Sequence, residues 1–152
     1  MAKVVAEPLR IGVLGAARIA PLSVVEPATA TGHRLVAVAA RDAERAKAFA
    51  STHGVERVHA SYADVLADPE VEVVYNPLPN SLHAEWNVRA AEAGKHVLAE
   101  KPSALTAAEA RRVRDAVAAS GVVFMEAFHY PYHPLLRRLC ALLDQEVLGP
   151  LR

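Results

Sequence analysis

Short runs of Val, Ile, Leu and Ala alternate with longer amphipathic runs along the chain, and this alternation limits the fold more than any single motif. Residues 9–15 (LRIGVLG), 34–40 (RLVAVAA), 57–60, 71–75 (VEVVY), 96–99 and 122–127 (VVFMEA) read as six strands. Between them lie patterns that read as helices. One covers 18–31, where Pro21 suits a first turn and Pro27 should kink or end the helix. The next covers 42–53, with Asp42 as N-cap and Gly54 as its stop. Ser61 and Asp64 form a capping-box pattern that opens a helix of one or two turns. Asn80 or Ser81 caps a helix running to Ala93, and Thr106 with Glu109 caps one running to Ser120. A last helix spans about 134–144. Apolar runs without alternation are strands buried on both faces, and a βα repeat of this kind builds an open α/β sheet. The expected fold is a doubly wound, mainly parallel six-stranded sheet of the Rossmann type, with helices on both faces.

Bulk properties narrow the partners. The length of 152 residues suits one domain. Seventeen Lys and Arg balance seventeen Asp and Glu, which argues against a nucleic-acid or anionic-membrane partner. The first ten residues lack the apolar stretch of a signal peptide, and the apolar runs are far shorter than a membrane span. The expected location is the cytosol. Cys140 is the one cysteine, so no internal disulfide forms, and it reads as a small buried hydrophobe on the last helix. The histidines, His129 and His133 included, show no ligand spacing, so no metal site is expected.

Chemistry first appears where strand one meets helix one. Gly15-Ala-Ala-Arg-Ile-Ala20 matches the dinucleotide fingerprint G-x-G-x-x-G/A with Ala17 in the second glycine place. Gly15 permits a tight turn, a small residue at 17 lets the backbone approach a diphosphate, and Ala20 lets the helix pack close. A helix N-terminus beyond such a turn offers free N–H groups and partial positive charge. The turn alone also reads as a plain structural turn. About twenty residues on, the second strand ends in Ala39-Ala-Arg-Asp42. Arg41, helped by Arg45, can pair with a 2′-phosphate through its planar fork, which favours NADP over NAD. The other reading of both arginines is a solvated helix start.

Glu100-Lys-Pro102 follows the fifth strand. Together with AARD at 39–42, YNPLPNSLH at 75–83 and MEAFHYPYHP at 125–134, it resembles the Gfo/Idh/MocA family of oxidoreductases, from about residue 8 onward. The resemblance implies an N-terminal Rossmann domain joined to a C-terminal α/β domain, with NAD or NADP used on a carbon of a sugar, cyclitol or related alcohol or carbonyl compound. It implies that Gly15, Ala17, Arg18 and Ile19 form the diphosphate turn and that Arg41 lies at the ribose. It implies that Asn76, Pro77, Leu78, Asn80 and His83 form the loop lining the cofactor, and that Glu100 and Lys101 lie near the nicotinamide ribose and the substrate. Lys101 is then the catalytic acid/base candidate; without the resemblance it reads as a solvated loop lysine, and His83 as a water-exposed helix-start histidine.

Relatives of this kind are about twice as long. Residues 1–128 are therefore expected to form the nucleotide-binding domain, and 129–152 a crossover helix and the start of an otherwise absent C-terminal domain. Alone, the chain is expected to bind cofactor weakly and turn over negligibly. Apolar surface is expected around the sixth strand and residues 128–134, with a homo-oligomer one way to cover it. The alternatives are a non-catalytic dinucleotide-binding or protein-interaction module, and a methyltransferase with an adenosyl cofactor, which Arg41 disfavours.

Overall fold

The computed structural model describes residues 7–145, 147 and 149. Of the stretch 129–152, read above as a crossover helix and the start of a further domain, residues 146, 148 and 150–152 lie outside them. Six strands form one sheet: β1 (Arg10–Leu14), β2 (Arg34–Ala39), β3 (Arg57–Val58), β4 (Val73–Asn76), β5 (His96–Ala99) and β6 (Phe124–Glu126). Their spatial order is β3-β2-β1-β4-β5-β6, and every pairing is parallel. The expected α/β architecture is thus present. The two edge strands, β3 and β6, are shorter than their sequence runs, because an edge strand has a partner on one side only.

Side chains divide between the two faces of the sheet, and the alternation is broken in β2, where its pairing with β1 shifts register. Ile11, Val13, Val38 and Tyr75 point into one core, with Val24, Val25, Ala28 and Phe49 from the helices beyond. Leu14, Val36, Ala39, Val74 and Val97 point into the other, with Val65, Leu66 and Ala90. Gly12 lets α3 (Tyr62–Ala67) approach β1, since a Cβ there would lie 2.8 Å from a Val65 methyl carbon.

Local signals explain most helix ends. The Asp42 carboxylate accepts from Glu44 N and Arg45 N at the start of α2 (Ala43–His53), and Gly54 closes that helix with a left-handed backbone. Ser61 and Asp64 complete a capping box on α3, as Thr106 and Glu109 do on α5 (Ala107–Ser120). Three expectations are corrected. The first helix does not end at Pro27: a π-helical turn, Pro21–Val25, runs straight into α1 (Glu26–Thr31), with Pro27 in its opening turn. The wider turn relieves the clash that a proline ring makes with the preceding turn. α4 (Asn80–Glu92) starts at Asn80 itself, with no side-chain cap; Pro79 holds the extended entry and its carbonyl accepts from Leu82 N. Cys140 is exposed, because α6 (Pro134–Asp144) buries none of its residues. Among the described residues its apolar side borders only a shallow depression with His129 and Tyr130, and Leu135 stays 71% exposed. Val123, Phe128, Tyr130 and Tyr132 are exposed nearby, which is the apolar surface the sequence suggested.

A buried carboxylate ties the far end of α3 to β3. Asp68 accepts from Arg57 Nε at 2.9 Å, lies 2.9 Å from His59 Nε2, and accepts from Glu70 N at 2.8 Å. Burial alone would raise its pKa, but bonds from His59, the Glu70 amide and Arg57 outweigh it and hold the group at about 2, against an ordinary 3.8. A folded pKa below the unfolded one gives stability that is complete above about pH 4 and lost as pH falls toward 2. The stake is about 2 kcal/mol. Asp68→Asn should therefore unfold at lower urea than the parent at pH 6, and the gap should shrink at pH 2.5. A gap independent of pH would reject this assignment.

Candidate dinucleotide-binding site

The strand order reverses between β1 and β4, so the loops leaving their carboxyl ends diverge and open a crevice. Two depressions lie along it. The larger, about 620 Å³, is lined by Gly15, Ala16, Ala17, Arg41, Arg45, Tyr62, Pro77, Leu78 and neighbouring residues. The smaller, about 360 Å³, is lined by Ile19, Ser23, Glu100, Lys101 and residues 127–130. The turn after β1 borders both.

That turn is built to keep the backbone bare. Gly15 has φ +94°, and its amide donates to Ala39 O at 2.6 Å, fixing β1 against the tip of β2. A Cβ at Gly15 would lie 3.1 Å from Leu78 Cδ2, inside the crevice. Ala17 N donates to Gly15 O and Ala20 N to Ala17 O, closing the turn. Ala16, Arg18 and Ile19 donate no backbone bond to a protein acceptor among the described residues, which leaves amides for an anion. This cradle, which a side chain at 15 would fill, fits a diphosphate.

At the β2 tip, Arg41 is exposed on the wall of the larger cleft. Arg45 lies beside it, but one arm of its guanidinium donates to Ala16 O at 2.9 Å, so it braces the turn as well as carrying charge. Asp42 is the N-cap, as its place in the sequence suggested.

The loop after β4 is held from below. Asn76 is fully buried; its side-chain amide donates to Asn87 Oδ1 at 2.8 Å and to His83 O at 3.3 Å, and its carbonyl oxygen accepts from Leu78 N. Asn87 in turn donates to Ser103 O at 3.1 Å. His83 is 1% exposed, which rules out the water-exposed alternative. One ring nitrogen lies 2.6 Å from Pro102 O and the other 2.5 Å from Leu78 O. The ring therefore clamps the β4 loop to the loop after β5. Asn76 and His83 support the cleft from within; Arg18 and Asn80 are exposed and border neither depression.

Glu100 and Lys101 leave the end of β5 at the smaller depression. The buried Tyr75 hydroxyl donates to Glu100 Oε1 at 2.8 Å and so orients that carboxylate. Burial and then the Glu100 charge push the phenol pKa upward, against an opposing contribution from Ser23. Lys101 is exposed, and its bond to Pro102 is cis. Ser103 N donates to Glu126 Oε1, which joins this loop to β6. The sequence reading missed Tyr62, Tyr75 and Asn87. Asn87 could have been found as a polar residue one turn after His83 on the small-residue face of α4.

A parallel sheet of this order with a bare glycine turn at its reversal point defines a Rossmann-type nucleotide-binding domain. Residues 9–128 match the model of an oxidoreductase family described as having an NAD-binding Rossmann fold. The chain belongs to this family, Gfo/Idh/MocA. It is 42% identical over 139 residues to a D-xylose 1-dehydrogenase (NADP(+)) of Haloferax volcanii, with 91% of this chain and 43% of that protein covered. It is 41% identical over 152 residues to a dTDP-3,4-didehydro-2,6-dideoxy-alpha-D-glucose 3-reductase of Actinomadura kijaniata, covering 97% of this chain and 44% of the relative. The crystal structure of a 3-ketoreductase from Actinomadura kijaniata, in complex with NADP and TDP-benzene, superposes with a TM-score of 0.84 at 39% identity, covering 93% of this chain and 43% of that one. The chain thus spans less than half the length of these relatives. No helix among the described residues is long and apolar enough to cross a membrane.

Proposed function

We propose that this chain is the nicotinamide-dinucleotide-binding part of an oxidoreductase acting on a sugar, cyclitol or related alcohol or carbonyl compound, with NADP preferred over NAD. The observation that carries the reading is the pair of depressions on either side of the Gly15 turn, one walled by Arg41 and the other by Glu100 and Lys101. The larger suits the adenosine and diphosphate, the smaller the nicotinamide and the reacting carbon. Relatives named as an NADP-dependent xylose dehydrogenase and a deoxysugar reductase support the cofactor and the substrate class.

In this reading Gly15 and Ala17 keep the turn bare for the diphosphate, and Ala16, Arg18 and Ile19 present amides to it. Arg41 and Arg45 face the 2′-phosphate, and Pro77 and Leu78 flank the path between the depressions, backed by Asn76 and His83, with Asn80 at the helix start just beyond it. When bound, the nicotinamide supplies or accepts the hydride. Lys101 holds or takes the proton at the substrate oxygen, and Glu100, fixed by Tyr75, sets the edge of the nicotinamide ribose. Residues 1–128 form the nucleotide unit and 129–152 lead out of it; the family match ending at 128 and the unburied α6 support that division. The apolar side of α6 suits a further protein surface, from a second domain or a second copy. A cytosolic location accords with the single cysteine.

The test is calorimetric titration of the chain with NADP and NAD. Saturable binding, tighter for NADP, is expected. A folded chain that binds neither would overturn the reading in favour of a protein-interaction module. Arg41→Glu should weaken NADP at least about tenfold, by loss of charge-assisted bonds and added repulsion, and leave NAD within about threefold. Equal losses for both would reject the 2′-phosphate role.

A further inference from the structure

Tyr62 opens α3, immediately after the Ser61 cap, and its ring packs against the core beneath the crevice. Trp86 of α4 meets it edge to face, with ring centroids 5.1 Å apart and planes at 83°. Arg89 covers the Trp86 ring, 4.8 Å from its centroid. The ladder Arg89–Trp86–Tyr62 therefore fixes the phenol from behind and leaves it little freedom to turn away.

The other end of Tyr62 faces the larger cleft, which it lines. Its hydroxyl lies 4.0 Å from where a Gly15 Cβ would stand, directly beside the bare turn. It has no protein hydrogen-bond partner among the described residues, and none of their side-chain polar atoms is both buried and unbonded. The hydroxyl is thus a held, accessible donor, aimed at the space that Gly15 keeps clear. Tyr75, by contrast, spends its hydroxyl on Glu100.

We propose that Tyr62 is a dinucleotide-contacting residue, its hydroxyl donating to an oxygen of the adenosine-side ribose or diphosphate. This rests on the cofactor reading above and extends it to a residue with no place in the glycine fingerprint. A consequence follows for the one tryptophan in the chain. Trp86 touches Tyr62, so filling the adenosine half should change its emission, while filling the nicotinamide half alone should not.

The full chain is titrated with NADP, with 2′,5′-ADP and with nicotinamide mononucleotide, by calorimetry and by Trp86 fluorescence in parallel. NADP and 2′,5′-ADP should both give saturable changes in emission. Tyr62→Phe keeps the ring and its packing and should leave the urea midpoint unchanged. It should weaken NADP and 2′,5′-ADP alike, by about five- to tenfold for one lost hydrogen bond, and leave any mononucleotide binding as it was. If Tyr62→Phe binds NADP as the parent does, the proposal is overturned and the cofactor reading stands. If the folded parent shows no calorimetric binding of any of the three ligands, both fall together.

Discussion

Gly15→Val should abolish measurable NADP binding and also lower the urea midpoint of unfolding. Two separate effects act. The backbone at 15 has φ +94°, where a β-branched residue is strained by about 1–3 kcal/mol. The new side chain would also start 3.1 Å from Leu78 Cδ2 and project into the cleft between the turn and the β4 loop. The cradle is then filled whether or not the turn relaxes. Gly54→Ala separates the two effects. Gly54 has φ +68° but nothing within 4 Å of an added Cβ, so that variant should lose about 1–2 kcal/mol of stability to its left-handed backbone and no affinity. Calorimetry on both variants, with unfolding followed by Trp86 emission, reads the outcome. Retained NADP binding in Gly15→Val would place the cofactor elsewhere.

Features set by neighbours in sequence were legible before any coordinates. The βα alternation, the Asp42 and Ser61 caps and the turn at Gly15 each depend on a few adjacent residues, and each is present in the fold. The reversal point itself follows from that order, since the first βα turn of a doubly wound sheet sits beside it. What remained hidden depends on packing between distant segments. Ser61 explained its stretch so well as a cap that nothing marked Tyr62, which gains its position from α3 lying against Gly12 and Gly15. His83 and Asn80 look alike as polar residues at a helix start, yet the helix begins at Asn80 and turns His83 inward beneath two carbonyls. Cys140 was read as buried because a free cysteine usually is, but a helix buries its side chains only where a second surface meets it.

The three side chains Asn76, His83 and Asn87 carry the second large effect. They stand fully inside the protein, and each spends its polar atoms on the others or on loop carbonyls. Asn87→Leu removes the acceptor of the Asn76 amide and the donor to Ser103 O in one step. Buried groups left unbonded cost about 1–3 kcal/mol each, so a loss of about 2–4 kcal/mol is expected, and with it the hold on the loop that bears Lys101. Hydrogen exchange should show faster opening across 101–105 while β1 and β2 keep their protection. The double variant Asn76→Leu with Asn87→Leu distinguishes a bonded pair from mere bulk. If the two amides act as a pair, removing both should cost less than the sum of the single losses, because neither is then left facing an absent partner. Strict additivity would mean that the bond at 2.8 Å contributes little, and that the β4 and β5 loops are joined chiefly by the His83 clamp.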